Sequence, residues 1–185
     1  MVPLAEAVDG VYYINLERRP DRRAEIEREL ERMGLTHLAR RIIAFEGGFT
    51  GCTRSHLFAI EDAIRRGFKT VAVFEDDFQP LQDNIVVPDA AFDVVQLCAN
   101  FAPRFDPRTA AVGRGMIRVR QSLTSAGMVI RKRYFLTWRR VLRDALRKSV
   151  PLDVEMQLHQ PHGVWLSYDP PVAQQRASAG SDIPL

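Results

Sequence analysis

Glu75, Asp76 and Asp77 follow one another at the end of Thr70–Phe74 (TVAVF), a continuous apolar, β-branched run. Unpaired carboxylates this close raise one another's pKa, and a hard divalent cation relieves the repulsion. Carboxylates combined with diphosphate oxygens and water suit Mg²⁺ or Mn²⁺, which share their coordination sphere with a substrate phosphate. The plain structural alternative is an acidic turn after a strand.

Other groups fall at comparable places. Asn15 lies at the end of Val11–Leu16 (VYYINL), with Arg18, Arg19, Arg22 and Arg23 close behind. Arg at a helix start opposes the helix dipole, but the exposed N–H groups there attract anions, so a negatively charged ligand and a solvated helix start are equally good readings. Gly51-Cys52-Thr53-Arg54-Ser55-His56 is expected just before a second helix. A lone Ser-His pair there caps more often than it catalyses, and no G-x-S-x-G elbow accompanies it. Asp153 and Glu155 follow Val150-Pro151-Leu152. Either could act as a general base, although first-turn acids of a short helix explain them better on the residues alone. His159 and His162 could join a metal or a phosphate, but their spacing matches no strong zinc motif. Cys52 and Cys98 form no C-x-x-C pair and have no clustered His partner, so neither a zinc site nor a disulfide framework is expected.

The elements that must position these residues read as strand, helix, strand, helix, strand. Val11–Leu16 is a buried strand, and Pro20 opens a helix with Ile26, Leu30 and Met33 on one face and Gly34 as its stop. Arg41–Phe45 is a second strand; Leu57, Ile60 and Ile64 mark a helix ending at Gly67; Thr70–Phe74 is the third strand. This order predicts an α/β sheet, whose ligands bind at the carboxyl ends of the strands. Asp93–Cys98, Met116–Val119 and Ala126–Ile130 are further strands, separated by a Pro- and Arg-rich loop from Phe101 to Arg114. Phe135, Trp138, Val141, Leu142, Ala145 and Leu146 line one face of a late helix whose other face carries Arg139, Arg140, Arg143 and Arg147. After Pro151 the chain reads as irregular.

The chain of 185 residues is 46% hydrophobic, long enough to build a core without disulfides or structural metal, and reads as one domain with 177–185 as a flexible tail. All but Lys69, Lys132 and Lys148 of the 26 basic residues are Arg. Arg binds phosphate and carboxylate through a planar fork, which favours anionic ligands as much as base composition explains the bias. The start lacks the basic-then-apolar pattern of a signal peptide, and no apolar run is long enough for a membrane span. The expected compartment is therefore the cytoplasm, with room for peripheral membrane contact. The Arg face of the late helix lacks interleaved aromatics, so nucleic acid is not expected as a partner.

In ordered blocks the chain resembles glycosyltransferase family 25, the group of lipopolysaccharide-type and collagen-type galactosyltransferases. The blocks are Tyr13-Ile14-Asn15-Leu16 with Arg19, Arg22 and Arg23; Gly51-Cys52 with Ser55-His56-Leu57; Val73-Phe74-Glu75-Asp76-Asp77; Ser125-Ala126-Gly127; Asp153; and Gln174 or Gln175 with Ser181-Asp182-Ile183. Two departures mark it as a shortened member: only Glu46–Thr50 separates the second strand from the Gly-Cys block, and the family's common C-terminal extension is missing.

The resemblance implies a GT-A-like (Rossmann-like) mixed sheet flanked by helices. It implies a UDP-sugar donor, UDP-galactose among the candidates, and metal-dependent inverting transfer to a hydroxyl acceptor on a glycan or related molecule. Mn²⁺ or Mg²⁺ would be the cofactor and Asp77 the direct ligand, with Glu75 or Asp76 nearer the ribose or a metal-bound water. Asn15, Arg19 and Arg23 would flank the nucleotide, Ser55 and His56 would sit near the donor, and Asp153 would be the base. A non-catalytic nucleotide-sugar or glycan-binding module of the same descent is the alternative. A haloacid-dehalogenase-like phosphatase is excluded because Glu75-Asp76-Asp77-Phe78-Gln79 breaks its Asp-x-Asp order.

Overall fold

A computed structural model describes residues 1–89, 91–101, 111–113 and 115–177. Most of the expected Phe101–Arg114 loop, and the Ser181-Asp182-Ile183 block, lie outside these residues. In chain order the elements are β1 (Val2–Pro3), α1 (Leu4–Ala7), β2 (Gly10–Asn15), α2 (Pro20–Arg32), β3 (Ala39–Ile43), α3 (Gly48–Arg65), β4 (Thr70–Glu75), β5 (Phe78–Pro80), β6 (Val86–Val87) and β7 (Val94–Gln96). They continue with β8 (Ala111–Gly113), β9 (Met116–Arg118), β10 (Gly127–Arg131), α4 (Lys132–Lys148), α5 (Leu152–Gln157), β11 (Trp165–Tyr168) and β12 (Ala173–Gln175).

The main sheet runs β3-β2-β4-β10-β7-β11-β9-β8. β2 lies parallel to β3 and β4, and β10 is antiparallel to both β4 and β7, which makes the sheet mixed. Because strands twist to one hand, parallel crossovers are right-handed. The chain steps from β2 out to β3 and then back past β2 to β4, so the two crossover helices must cover opposite faces. They do: Ile26 and Leu30 of α2 pack with Val11, Tyr13, Ala72 and Phe74, while Ala59, Ile60 and Ala63 of α3 pack with Tyr12, Ile14, Val71 and Val73. The strict alternation along β2 and β4 is the two-residue period of a strand buried on both sides. α4 adds Phe135, Trp138, Val141 and Leu142 to the α3 face. The reversal of strand order falls between β2 and β4, and in such sheets the crevice opens there, at the carboxyl ends.

Two sequence expectations change. Gly51 to His56 lies inside α3, not ahead of it, because Gly47 (φ 112°) and Gly48 (φ 57°) take left-handed backbone and start the helix early. Cys52 and His56 therefore stand one helical turn apart, correcting the view that Cys52 has no nearby His. After Pro151 the chain is more regular than expected: β11 joins the main sheet parallel to β7, and β12 pairs with β5. Both strands are too short for a period to show in sequence.

Candidate functional site

Glu75 is the last residue of β4, and Asp76-Asp77 form the turn into β5. Phe74 and Phe78, on either side of that turn, are fully buried and stacked, with ring centroids 4.3 Å apart. The stack pins the turn, and the backbone N–H of Arg176 closes it from the other side by bonding the Asp77 carbonyl at 2.6 Å. Gly127 of β10 lies against the Phe78 ring, where a Cβ would come within 2.5 Å.

The three carboxylates have different duties. Asp76 is buried and has both oxygens engaged: Oδ2 accepts from Asn15 Nδ2 at 2.8 Å and Oδ1 from Arg22 Nη1 at 3.2 Å. It braces the ends of β2 and α2 against β4. Burial pushes its carboxyl up, and the Asn15 and Arg22 contacts only partly offset this. Glu75 Oε1 accepts from Ser125 Oγ at 2.7 Å and lies 3.1 Å from His56 Nε2 and 3.8 Å from Cys52 Sγ. Burial pushes Glu75 up, but these contacts outweigh it and hold the group below its ordinary value. Asp77 has only a 3.4 Å contact to Oδ2 from Gln175 Nε2, and its buried Oδ1 has no partner among the described residues. Burial, then the charges of Glu75 and Asp76, push its carboxyl up from 3.8 to about 7.

A cavity of about 440 Å³ opens beside this turn. Glu75, Asp76 and Asp77 form its floor, Arg18, Arg22 and Arg176 supply cationic edges, and Ile14, Leu16, Ala44 and Phe45 an apolar side. Gly47 and Gly48 also line it, so the N-terminus of α3 faces the same space. Gly51 is what lets the Phe45–Glu46 loop lie on α3: a Cβ there would sit 2.1 Å from the Phe45 carbonyl oxygen. A second cavity of about 100 Å³ adjoins the first and is lined by Phe49, Thr124, Ser125 and Asp153, with Cys52, Glu75 and Gln175 shared between the two. Burial and the Glu75 charge push the Asp153 carboxyl up, partly offset by backbone N–H groups of Thr124 and Val154. The loop carrying Thr124 and Ser125 is fixed by buried Gln96, whose Nε2 donates to the carbonyls of Leu123 and Thr124 at 2.7 and 2.6 Å.

Among the expected site residues, Glu75, Asp76, Asp77 and Asp153 line the cavities. Asn15 is buried behind the floor and accepts from Arg41 Nη2 at 2.8 Å. Arg19 pairs with Asp21 at 2.7 Å, and Arg23 with Glu27 at 2.8 Å. Ser55 is buried; it accepts from the Phe45 backbone N–H and donates to the Gly51 carbonyl, holding the cavity wall in place. His56 is buried against Glu75. Glu155 is buried and accepts from Lys148 Nζ at 2.6 Å, so it is a structural acid; His159 stands 3.7 Å from it, and His162 is exposed. Arg176, anchored by Glu25 and Glu29, carries no sequence signal, since only the β12–β5 pairing brings it to the site.

No protein-family model and no curated protein sequence matches the chain. Among solved structures, a glycosyltransferase involved in the glycosylation of the major capsid of PBCV-1 superposes with a TM-score of 0.60 at 8% identity, covering 92% of this chain and 94% of that one. The chain has a GT-A-like fold. The nucleoside-diphosphate-sugar pyrophosphorylase from Vibrio cholerae follows with a TM-score of 0.46 at 14% identity, covering 85% and 71%. At 8% identity the likeness to the capsid glycosyltransferase is one of fold. No helix among the described residues is long and apolar enough to cross a membrane.

Proposed function

We propose that the protein is a metal-dependent glycosyltransferase that takes a sugar from a UDP-sugar and passes it, with inversion, to a hydroxyl acceptor. The observation that carries this reading is the buried Oδ1 of Asp77, which has no partner among the described residues, at the floor of a cavity edged by guanidinium groups. An all-oxygen carboxylate donor with a free lone pair fits Mg²⁺ or Mn²⁺, and the cationic edges with the α3 N-terminus fit the diphosphate. Asp77 would hold the cation, with Glu75 beside it; Asp76, already doubly engaged, positions the floor. Bound there, the ion would supply charge neutralisation for the diphosphate.

The remaining work falls to side chains of this chain. Ile14, Leu16 and Phe45 offer the apolar wall for a base, and Gly47–Gly48 with Arg18 receive the phosphates. Asp153, in the adjoining cavity, takes the proton of the acceptor hydroxyl as its oxygen attacks the anomeric carbon from the side opposite the diphosphate, whose bond to that carbon breaks so that UDP leaves. Its raised pKa suits a base that must hold that proton. The roles given to Asp77 and Asp153 are those that the sequence resemblance to glycosyltransferase family 25 implies, and a galactosyl donor is its most specific extension.

The test is UDP-sugar binding by calorimetry and donor turnover, each with and without Mn²⁺. Binding that requires the ion and is lost in Asp77→Asn supports the reading; absence of binding under both conditions overturns it. Binding without turnover on any hydroxyl acceptor, unchanged by Asp153→Asn, identifies a non-catalytic binding module.

A further inference from the structure

The early start of α3 places Cys52 and His56 at i and i+4, on one helix face, directly under Glu75. Cys52 Sγ, a ring nitrogen of His56 and a Glu75 oxygen all lie within 4.8 Å of one another. The Glu75 oxygen is 3.1 Å from His56 Nε2 and 3.8 Å from Cys52 Sγ. Ordinary zinc bond lengths in a tetrahedral site separate ligand atoms by about 3.4–3.6 Å, between those two distances. Small side-chain shifts would close the set around an ion. We infer that Cys52, His56 and Glu75 form a binding site for a borderline-soft transition-metal ion, Zn²⁺ above all, chemically distinct from the oxygen-only site at Asp77.

Two further observations point the same way. Cys52 and Glu75 line both cavities, so the fourth tetrahedral position faces open space that a water or a ligand can fill. Ser125 Oγ donates to Glu75 at 2.7 Å and would orient the ligating carboxylate, as outer hydrogen bonds do in metal sites. The donor set of one thiolate, one imidazole and one carboxylate, with a position left open, favours Zn²⁺ over Mg²⁺ or Mn²⁺. On binding, the thiol proton leaves to solvent, the proton that His56 Nε2 shares with Glu75 moves to Nδ1, and the sulfur and Nε2 lone pairs form the bonds to the ion. An ion held there occupies the wall shared by the two cavities. The inference goes beyond the proposed transfer reaction and does not rest on it.

Co²⁺, a spectroscopic stand-in for Zn²⁺, tests the site in the full chain without any enzymatic assay. The expected result is a thiolate-to-cobalt charge-transfer band that saturates at one ion per chain and is erased by added Zn²⁺. Cys52→Ser should abolish the band and weaken Zn²⁺ binding roughly 100-fold or more, since even outer-shell changes cost 10- to 100-fold. The band should persist in Cys98→Ser, which removes the other cysteine, and in Asp77→Asn, which separates this site from the proposed catalytic metal. A measurement that needs no variant is protection: Zn²⁺ should slow maleimide labelling of Cys52, mapped by peptide mass, roughly tenfold or more. No thiolate band, a band that survives Cys52→Ser or disappears in Asp77→Asn, or labelling indifferent to Zn²⁺ overturns the inference.

Discussion

Replacing Asp77 by Asn should stabilise the metal-free protein while removing its response to Mn²⁺. Asp77 is a half-buried carboxylate whose buried Oδ1 has no partner among the described residues, beside two other acids, and its pKa rises from 3.8 to about 7. The sign follows from linkage. A carboxyl that holds its proton more tightly when folded favours the fold fully below its unfolded pKa and loses that contribution as pH rises to about 7. At pH 8 the displacement corresponds to a cost of up to about 4 kcal/mol. Local rearrangement and water penetration reduce it to roughly 1–2 kcal/mol, because effective dielectric constants at such sites exceed those of dry protein.

The amide keeps the shape of the side chain and drops its charge. In EDTA at pH 8, the melting temperature of the Asp77→Asn variant should exceed that of the wild type by about 2–8 °C, given roughly 2–4 °C per kcal/mol for a chain this size. At pH 5, where the wild-type carboxyl is largely protonated, the gap should shrink. With Mn²⁺ at about 100 times its Kd, the wild type should gain about 2.7 kcal/mol and the variant little, so the order reverses. Thermal unfolding followed by circular dichroism at both pH values measures all of this. An Asp77→Asn substitution that destabilises the metal-free protein at pH 8, or a gap that does not depend on pH, would refute the electrostatic account.

Asp153→Asn should lower transfer by about 10²- to 10⁴-fold while leaving the donor Kd nearly unchanged, the mark of a lost general base, read by steady-state kinetics beside calorimetry. Gly51→Ala should unfold the protein at lower denaturant by roughly 1–3 kcal/mol, because the new Cβ meets the backbone carbonyls of Phe45 and Glu46, which cannot swing aside; urea titration reads the loss. Burial in α3 pushes the Asp62 carboxyl up, but the Tyr12 hydroxyl and Arg66 outweigh it and hold the group below its ordinary value. Its contribution is therefore present above the unfolded carboxylate pKa and is lost as pH falls through the folded one, so Asp62→Asn should flatten the acid limb of the stability curve, followed by urea titration at a series of pH values.

How much of this can be read from residue order depends on how local the cause is. β2, α2, β4 and α4 announce themselves because a buried strand and an amphipathic helix each need a run of apolar residues at a fixed period, and those runs are present. The acidic turn is legible for the same reason: a strand as apolar as Thr70–Phe74 has a definite end, and three charges there demand a purpose. The start of α3 is hidden because it depends on Gly47 and Gly48 adopting positive φ, which residue type permits but does not require. That displacement turns Ser55 from an expected donor contact into a wall brace and brings Cys52 beneath Glu75.

β12 and Arg176 are invisible in the sequence for a different reason. A three-residue strand gains its conformation from the partner it meets, here β5, and nothing within Ala173–Gln175 encodes that meeting. The division of labour among the three acids is likewise a property of the assembled sheet. Asp76 is taken by Asn15 from β2 and Arg22 from α2, Glu75 by side chains from α3 and the loop before β10, and Asp77, among the described residues, by almost nothing. Hydrogen-bonding capacity left over after folding, more than charge alone, singles out the carboxylate that can take a cation. The assembled fold likewise brings the Cys52 thiol, the His56 imidazole and the Glu75 carboxylate within 4.8 Å of one another, a donor set no stretch of residue order displays and one that Co²⁺ titration tests directly.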